Sequence, residues 1–406
     1  MTATRTIMEA PPKEAKGVTS LWPRFEEDEV AAAAEVLRSG HVNGLVHGEH
    51  TEAFAMEFAE YCGAPFGLSV ANGTVALELA LRALDIGLGD EVIVPARSFY
   101  ATASAVVAVG AIPAFADIRE DSQNIDPASI ERLISPHTKA VICVHLAGFP
   151  CEMPRITTLA AEHGLFVIED CAQAHGAAIG GRRTGAWGHI SAFSFCTDKI
   201  MSTGGEGGML LSQDEGPFAR AKEYKDHGKN FAKMKAPGGA PGQFRYIHDG
   251  PGTNFRLTEL QAAIGRRQLA KLPGWLEARQ RNARTLMERL RDVSGIILPA
   301  PGDDVRHAWY KFYLRLCNPP GEPVEVLRSR LIARLHASGI PAGTGSCPDM
   351  SREGAFAELS VRRDGILSRA NDLGRRSLMF PVDHTLDPEA IHRIADALID
   401  GLAEER

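Results

Sequence analysis

The 406-residue chain is 44% apolar and 23% charged, ordinary proportions for a globular protein that exclude a wholly disordered, collagenous or coiled-coil chain. Its length suits two or three domains at ~100–200 residues each. With 44 basic and 51 acidic residues the net charge is −7, which disfavours a nucleic-acid or anionic-membrane binder but not a local basic cleft.

Residues 1–20 read as a flexible, proline-containing leader without the apolar stretch of a signal peptide. Helical spacing begins near Glu27–Leu37. From Phe66 short apolar runs alternate with helical ones. The strands expected are Phe66–Ala71, Glu91–Pro95, Pro113–Asp117, Ala140–Val144, Phe166–Ile168, Ala192–Phe195 and Gly208–Leu211. Between them lie a helix over Thr74–Leu84, with Leu77, Leu81 and Leu84 on one face, and an Ala/Val-rich helix reaching Val109. A third spans Asp126–Ile134, capped by Asp126 with Pro127 opening it. Ala101–Ala116, the longest weakly polar run, is broken by Gly110 and Pro113 and is too short to cross a bilayer. Alternating strands and helices predict an α/β fold with a mostly parallel sheet covered by helices on both faces.

Residues 214–256, rich in Gly, Pro and Lys, show only weak structure. A long helix is expected from Thr258 to Arg291, kinked at Pro273. After Pro299-Ala-Pro-Gly come a strand over His307–Leu316 and helices over Val324–Ser338 and Pro388–Leu402. The division expected is a large domain over 21–275 and a smaller α+β domain over 276–406. Cys62, Cys143, Cys151, Cys171, Cys196, Cys317 and Cys347 are odd in number and lack CxxC spacing, as expected of free thiols in a reducing cytoplasm.

Ligands in such sheets bind on loops after the carboxyl ends of the strands. Three of those loops carry chemistry. In Ser191–Gly208 an apolar strand enters a polar loop with a single lysine, Lys199, followed by a glycine-dense turn. A lysine there can react with an aldehyde if its amine is neutral. A solvated loop lysine is the plain alternative. In Phe166–Gly176 an acidic pair ends a buried strand, and Asp170 can hold a pyridine nitrogen protonated. A helix cap or a Mg²⁺ ligand is the competing reading. In Val70-Ala-Asn-Gly-Thr-Val-Ala-Leu77 a strand ends at Gly73 and Thr74 opens a helix, a seat for phosphate or simply an N-cap at Thr74.

A reactive lysine, a ring-nitrogen carboxylate and a phosphate cradle on one sheet resemble a fold-type I pyridoxal-phosphate enzyme. The wording of the motifs resembles the DegT/StrS-type sugar aminotransferases. It is carried by Asn72-Gly-Thr-Val-Ala-Leu77, Gly89-Asp-Glu-Val-Ile-Val-Pro95, Glu169-Asp-Cys-Ala-Gln-Ala-His-Gly176 and Phe193-Ser-Phe followed by Lys199. Gly205-Glu-Gly-Gly208 and Gly252-Thr-Asn-Phe-Arg-Leu-Thr-Glu-Leu-Gln-Ala-Ala-Ile-Gly265 complete it. The resemblance implies pyridoxal 5'-phosphate bound through a Schiff base to Lys199, which also shuttles protons. It implies Asp170 on the ring nitrogen, Gln173 near the ring hydroxyl and Phe99 stacked on the ring. Gly73, Thr74 and Ser194 would hold the phosphate, joined by Asn254 from the neighbouring subunit of a homodimer. The implied reaction transfers an amino group from L-glutamate to a keto sugar on a nucleotide, in the cytoplasm, for lipopolysaccharide, O-antigen or antibiotic sugars. No metal, nucleic-acid or membrane partner is expected.

Some residues depart from the pattern. Asn72 stands where many relatives have serine, and Tyr100 beside Phe99 can share the stacking role. Lys233–Arg245 looks like a long loop over the substrate mouth, with an ordinary surface loop as the alternative. Arg245, Lys311, Arg315, Arg375 and Arg376 are candidates for a diphosphate or a glutamate carboxylate, against the plainer reading of solvated charge. His41, His47 and His50 lack the companions of a zinc site. Cys347 carries no marker of a depressed pKa and reads as a plain thiol. The alternatives are a glutamine-dependent keto-cyclitol (inosose) aminotransferase, a PMP-dependent sugar dehydratase and a non-catalytic sensor. Dehydrating relatives replace the lysine, so Lys199 counts against the second. Lys199, Asp170 and Gln173 together count against the third.

Overall fold

The computed structural model describes residues 17–236 and 243–405. Most of the expected leader and the middle of the Lys233–Arg245 loop lie outside the described residues. An eight-stranded sheet forms the centre. Its order is Phe66–Val70, Gly208–Ser212, Ile190–Ser194, Phe166–Asp170, Thr138–Val144, Glu91–Pro95, Ile112–Ala116 and Arg362–Arg363. Gly208–Ser212 runs antiparallel to both neighbours, and every other pairing is parallel.

The period of two along each strand divides the core. Val92, Val94, Ile142 and Leu210 pack on one face with Leu77, Ala80 and Leu81 of the helix Gly73–Ala83. Ile93, Val141, Cys143 and Val167 face the other way, against the helices Pro127–Leu133 and Met153–Glu162. Near the sheet's other end that role passes to the helix Glu49–Cys62, whose Phe54 and Phe58 meet Phe193 and Phe195. All strands but one run in the same direction. Val70, Pro95, Val144, Asp170 and Ser194 therefore end along one edge, and the loops that follow them assemble a single site.

The helix Glu259–Leu290 is opened by a Thr258/Gln261 capping box and runs through Pro273 without ending. Its first half packs Ala262, Leu272 and Leu276 with Phe54 and Phe58. Its second half packs Ala283, Leu286 and Leu290 against a C-terminal α+β layer. That layer has an antiparallel sheet of Ile296–Ile297, Phe312–Leu316 and Ser377–Phe380. The helices Val324–Ala337, Ser368–Arg376 and Pro388–Glu404 accompany it.

Several elements differ from the sequence reading. Asn72, not Thr74, caps the helix Gly73–Ala83, its side chain accepting from the Val75 N–H at 3.0 Å. Residues 214–256 contain the helices Glu215–Lys225 and Phe231–Lys235. Glu49–Cys62 and Ser368–Arg376 form helices the spacing did not suggest. The strand expected over His307–Leu316 begins at Phe312, because Trp309 has a positive φ of 51° that breaks extended backbone. From Gly17 the chain is tied down. The Val18 N–H donates to the Gly339 carbonyl at 2.8 Å, and the Val18 side chain is buried.

Candidate active site

The anion seat comes from tight packing at the end of the helix Gly73–Ala83. A Cβ on Gly73 would lie 2.7 Å from Ser194 Cβ, and one on Gly208 would lie 2.4 Å from the Asn72 carbonyl oxygen. Only glycine allows this approach of helix, strand end and turn. Asn72 occupies the N–H of Val75 through its side chain and that of Ala76 through its carbonyl. The N–H groups of Gly73 and Thr74 are left at the positive end of the helix beside the Ser194 hydroxyl.

Asp170 ends its strand 6% exposed. Thr102 donates its hydroxyl to Asp170 Oδ2 at 2.9 Å and so accepts from Ser98 Oγ at 3.0 Å. The Ala172 N–H reaches Oδ1 at 3.2 Å. Burial pushes the Asp170 carboxyl up, against the pull of Thr102, Ala172 and Lys199. A cation placed against it would stabilise the ionised form. Its neighbour Glu169 is committed to the fold, accepting from the N–H groups of Gly185, Trp187 and Gly188 while paired with His145 at 3.0 Å. Gln173 accepts the Ala147 N–H at Oε1 (2.6 Å), so what it has left to offer a ligand is an N–H.

Lys199 Nζ lies 3.4 Å from Asp198 Oδ1, with its side chain 17% exposed. Tyr310 donates its hydroxyl to the other oxygen of Asp198. Burial alone would raise Asp198, but Lys199 and Tyr310 hold it below the usual carboxylate range. Tyr310 is itself pushed up by burial and then by Asp198. Behind it Arg279, fully buried and lowered to about 10 by burial, donates to the carbonyls of Trp309 and Tyr310. The Trp22 indole N–H donates to the Lys199 carbonyl at 2.7 Å, and its ring packs edge-on against Trp275 and His384. The sequence reading missed Asp198, Tyr310, Arg279 and Trp22. Only Asp198, adjacent to the lysine, carried any signal.

Phe99 is 65% exposed at the mouth of the loop after Pro95. Tyr100 does not share its position, because its ring packs on Phe356 at 5.5 Å. Asn254 is exposed, accepts the Arg256 N–H and bridges to Asp226 through the backbone. His41 and His47 stack on each other at 4.4 Å, and His50 lies 3.3 Å from Arg266. The Cys347 thiol is pushed up by burial, as suits an unreactive thiol.

An amine beside a carboxylate, a buried carboxylate seeking a cation, an amide donor, an exposed ring face and an anion seat fit a flat, phosphorylated, aldehyde-bearing heteroaromatic ring. Comparison with known proteins bears on this directly. The family model for the DegT/DnrJ/EryC1/StrS aminotransferases matches residues 23–399. A dTDP-3-amino-3,4,6-trideoxy-alpha-D-glucose transaminase from Streptomyces venezuelae is 36% identical over 92% of each chain. A UDP-N-acetyl-3-dehydro-alpha-D-glucosamine 3-aminotransferase from Acidithiobacillus ferrooxidans is also 36% identical, over 87% of this chain and 89% of its own. The X-ray structure of the aminotransferase from Psychrobacter cryohalolentis superposes with a TM-score of 0.90 at 42% identity, covering 95% of this chain and 99% of that one.

Proposed function

Because the chain belongs to the DegT/DnrJ/EryC1/StrS aminotransferase family, we propose that it moves an amino group from L-glutamate to the keto group of a nucleotide-linked sugar. It would do so as a homodimer, in the making of amino sugars for surface polysaccharides or antibiotics. Pyridoxal 5'-phosphate is the cofactor, and when bound it supplies an electron sink for the carbon that loses or gains the amine.

The residues take distinct tasks in this reading. Lys199 would hold the cofactor covalently. The N–H groups of Gly73 and Thr74, with the Ser194 hydroxyl, would hold its phosphate, joined by Asn254 of a second copy. Asp170 would face the ring nitrogen, its charge favoured by the Thr102 hydrogen bond. Gln173 would offer its amide N–H to the ring oxygen, and Phe99 would cover one ring face and exclude water. Lys199 Nζ, freed during turnover, is the group to take the proton from the donor's α-carbon and later return one to the sugar carbon. Asp198, itself hydrogen-bonded by Tyr310, is the carboxylate beside that amine.

The observation that carries the reading is Lys199 Nζ at 3.4 Å from Asp198, in the same cluster as buried Asp170. Borohydride reduction and peptide mapping should put the pyridoxyl mass on the peptide containing Lys199. A label on Lys229 or Lys311 overturns the assignment. A panel of 3-keto and 4-keto nucleotide sugars with L-glutamate should yield 2-oxoglutarate and an amino sugar. Turnover only of scyllo-inosose with glutamine would move the substrate to the cyclitols. Reaction without 2-oxoglutarate would make the enzyme a dehydratase.

A further inference from the structure

Of the five cations singled out in the sequence, four are already tied. Arg245 donates to the carbonyls of Lys233 and Met234. Arg315 donates to the Glu120 carbonyl and carboxylate. Arg375 and Arg376 both pair with Asp372. Lys311 differs. Among the described residues its ammonium has no hydrogen bond or ion pair, only the Tyr310 ring at 5.1 Å. Its amine is pushed down by burial and by the nearby Arg279 and Lys199. A partly buried, unpaired cation is costly unless an anion arrives to meet it.

We propose that Lys311 seats the far carboxylate of the amino donor, a dicarboxylic amino acid such as glutamate, while the donor's amine occupies the station of Lys199 Nζ. The inference rests on the reading of Lys199 given above. Lys199 Nζ and Lys311 Nζ each lie 5.1 Å from the centre of the Tyr310 ring, so they are at most twice that distance apart. An extended five-carbon diacid, with a hydrogen bond at its end, spans roughly 8 Å from its amine to a cation. The wall carrying Lys311 is fixed. The Tyr310 N–H donates to the Ala147 carbonyl at 2.9 Å, and the Ala147 N–H donates to Gln173. Arg279 holds the Tyr310 carbonyl from behind.

Of the nearby cations, Lys199 pairs with Asp198 and Arg279 donates to the carbonyls of Trp309 and Tyr310, which leaves Lys311 as the one without a hydrogen-bonding partner among the described residues. A single ammonium matches one carboxylate, whereas a diphosphate would ask for further free cations.

The test uses the holoenzyme with Lys311→Gln and Lys311→Arg. Calorimetric titration with glutarate, an unreactive dicarboxylate, should show a Kd about 10- to 100-fold weaker for Lys311→Gln, the ordinary weight of a charge-assisted hydrogen bond. Single-turnover loss of the cofactor's absorbance should show the same penalty for L-glutamate and none for L-alanine, which lacks the far carboxylate. Lys311→Arg should recover part of the loss. KM for the keto sugar should stay within about twofold, since its anionic groups would lie elsewhere. Unchanged glutarate binding overturns the proposal. So does a loss confined to the nucleotide sugar, which marks a diphosphate seat, or a loss equal for both substrates and L-alanine, which marks packing. A wild-type enzyme without the borohydride mark on Lys199 would instead fail the underlying reading. With that mark present, equality of variant and wild type fails this inference alone.

Discussion

Asp170 shows how a residue's surroundings decide its work. The carboxylate is nearly sealed from water, and among the described residues its donors are the neutral groups of Thr102 and Ala172. Burial makes its charge expensive until a cation pairs with it. Asp170→Asn retains the shape and an oxygen to accept from Thr102, so the variant should fold normally. The amide cannot hold a ring nitrogen protonated, and turnover should fall roughly 100-fold or more. Thermal unfolding and steady-state rates measured together check both halves, and activity near wild type would make Asp170 structural. Asp170, Gly73, Thr74, Gln173, Ser194 and Lys199 were visible in the sequence because each sits in a short motif at a strand end. Asp198–Tyr310 and Trp22–Lys199 were not, because residues more than 100 positions apart leave no local pattern.

Among the elements, the segment from Gly17 to Phe25 acts as a strap. It is fastened at Gly339 through Val18 and at Thr385 through Leu21, then reaches the Lys199 carbonyl through Trp22. Trp22→Phe keeps a ring against Trp275 and His384 but deletes the donor. A loss of about 1 kcal/mol is expected. Recapture of cofactor by the apoenzyme, followed by absorbance, should slow as the lysine loop loosens. Equal recapture and equal stability would show the bond to be incidental. The missed elements have physical reasons. The helix Glu215–Lys225 buries only Ala221, so it has no apolar stripe to read. Arg362–Arg363 joins the sheet by parallel pairing and by Arg362 reaching Glu91 and the Leu133 carbonyl, with side chains no pattern would assign to a strand. The other seven strands of the central sheet were legible within a residue or two because their two faces are buried in alternate cores.

At the scale of the whole molecule, two buried histidines and the half-buried His384 contribute to the response to acid. Burial lowers His175 and His307 to about 3 and His384 to about 4, from 6.5 in the open chain. Between about pH 6.5 and 4 the unfolded chain takes up protons that the folded one refuses. Stability is therefore fully present above that window and lost as pH falls through it, by about 1.4 kcal/mol per pH unit for each such group. Urea midpoints measured from pH 7.5 to 4.5 should fall steeply below 6.5, and a flat profile would contradict these burials. The proposed homodimer has its own test. Lys199→Ala and Asn254→Ala chains, each inactive alone, should regain up to about half the wild-type activity per heterodimer when mixed under subunit exchange. If both are inactive and mixing restores nothing, Asn254 does not reach across.

The reversed strand Gly208–Ser212 has a consequence for synthesis. It separates Phe66–Val70 from the rest of the sheet, so that early strand has no neighbour until Gly208–Ser212 has been made. Strands from Glu91 through Ser194 can pair with one another as they emerge. Phe66–Val70 must wait for about 140 further residues, on the order of ten seconds at ribosomal speed. During that interval two sheet edges stand open, and a nascent chain stalled short of Ser212 should be the species that chaperones hold longest.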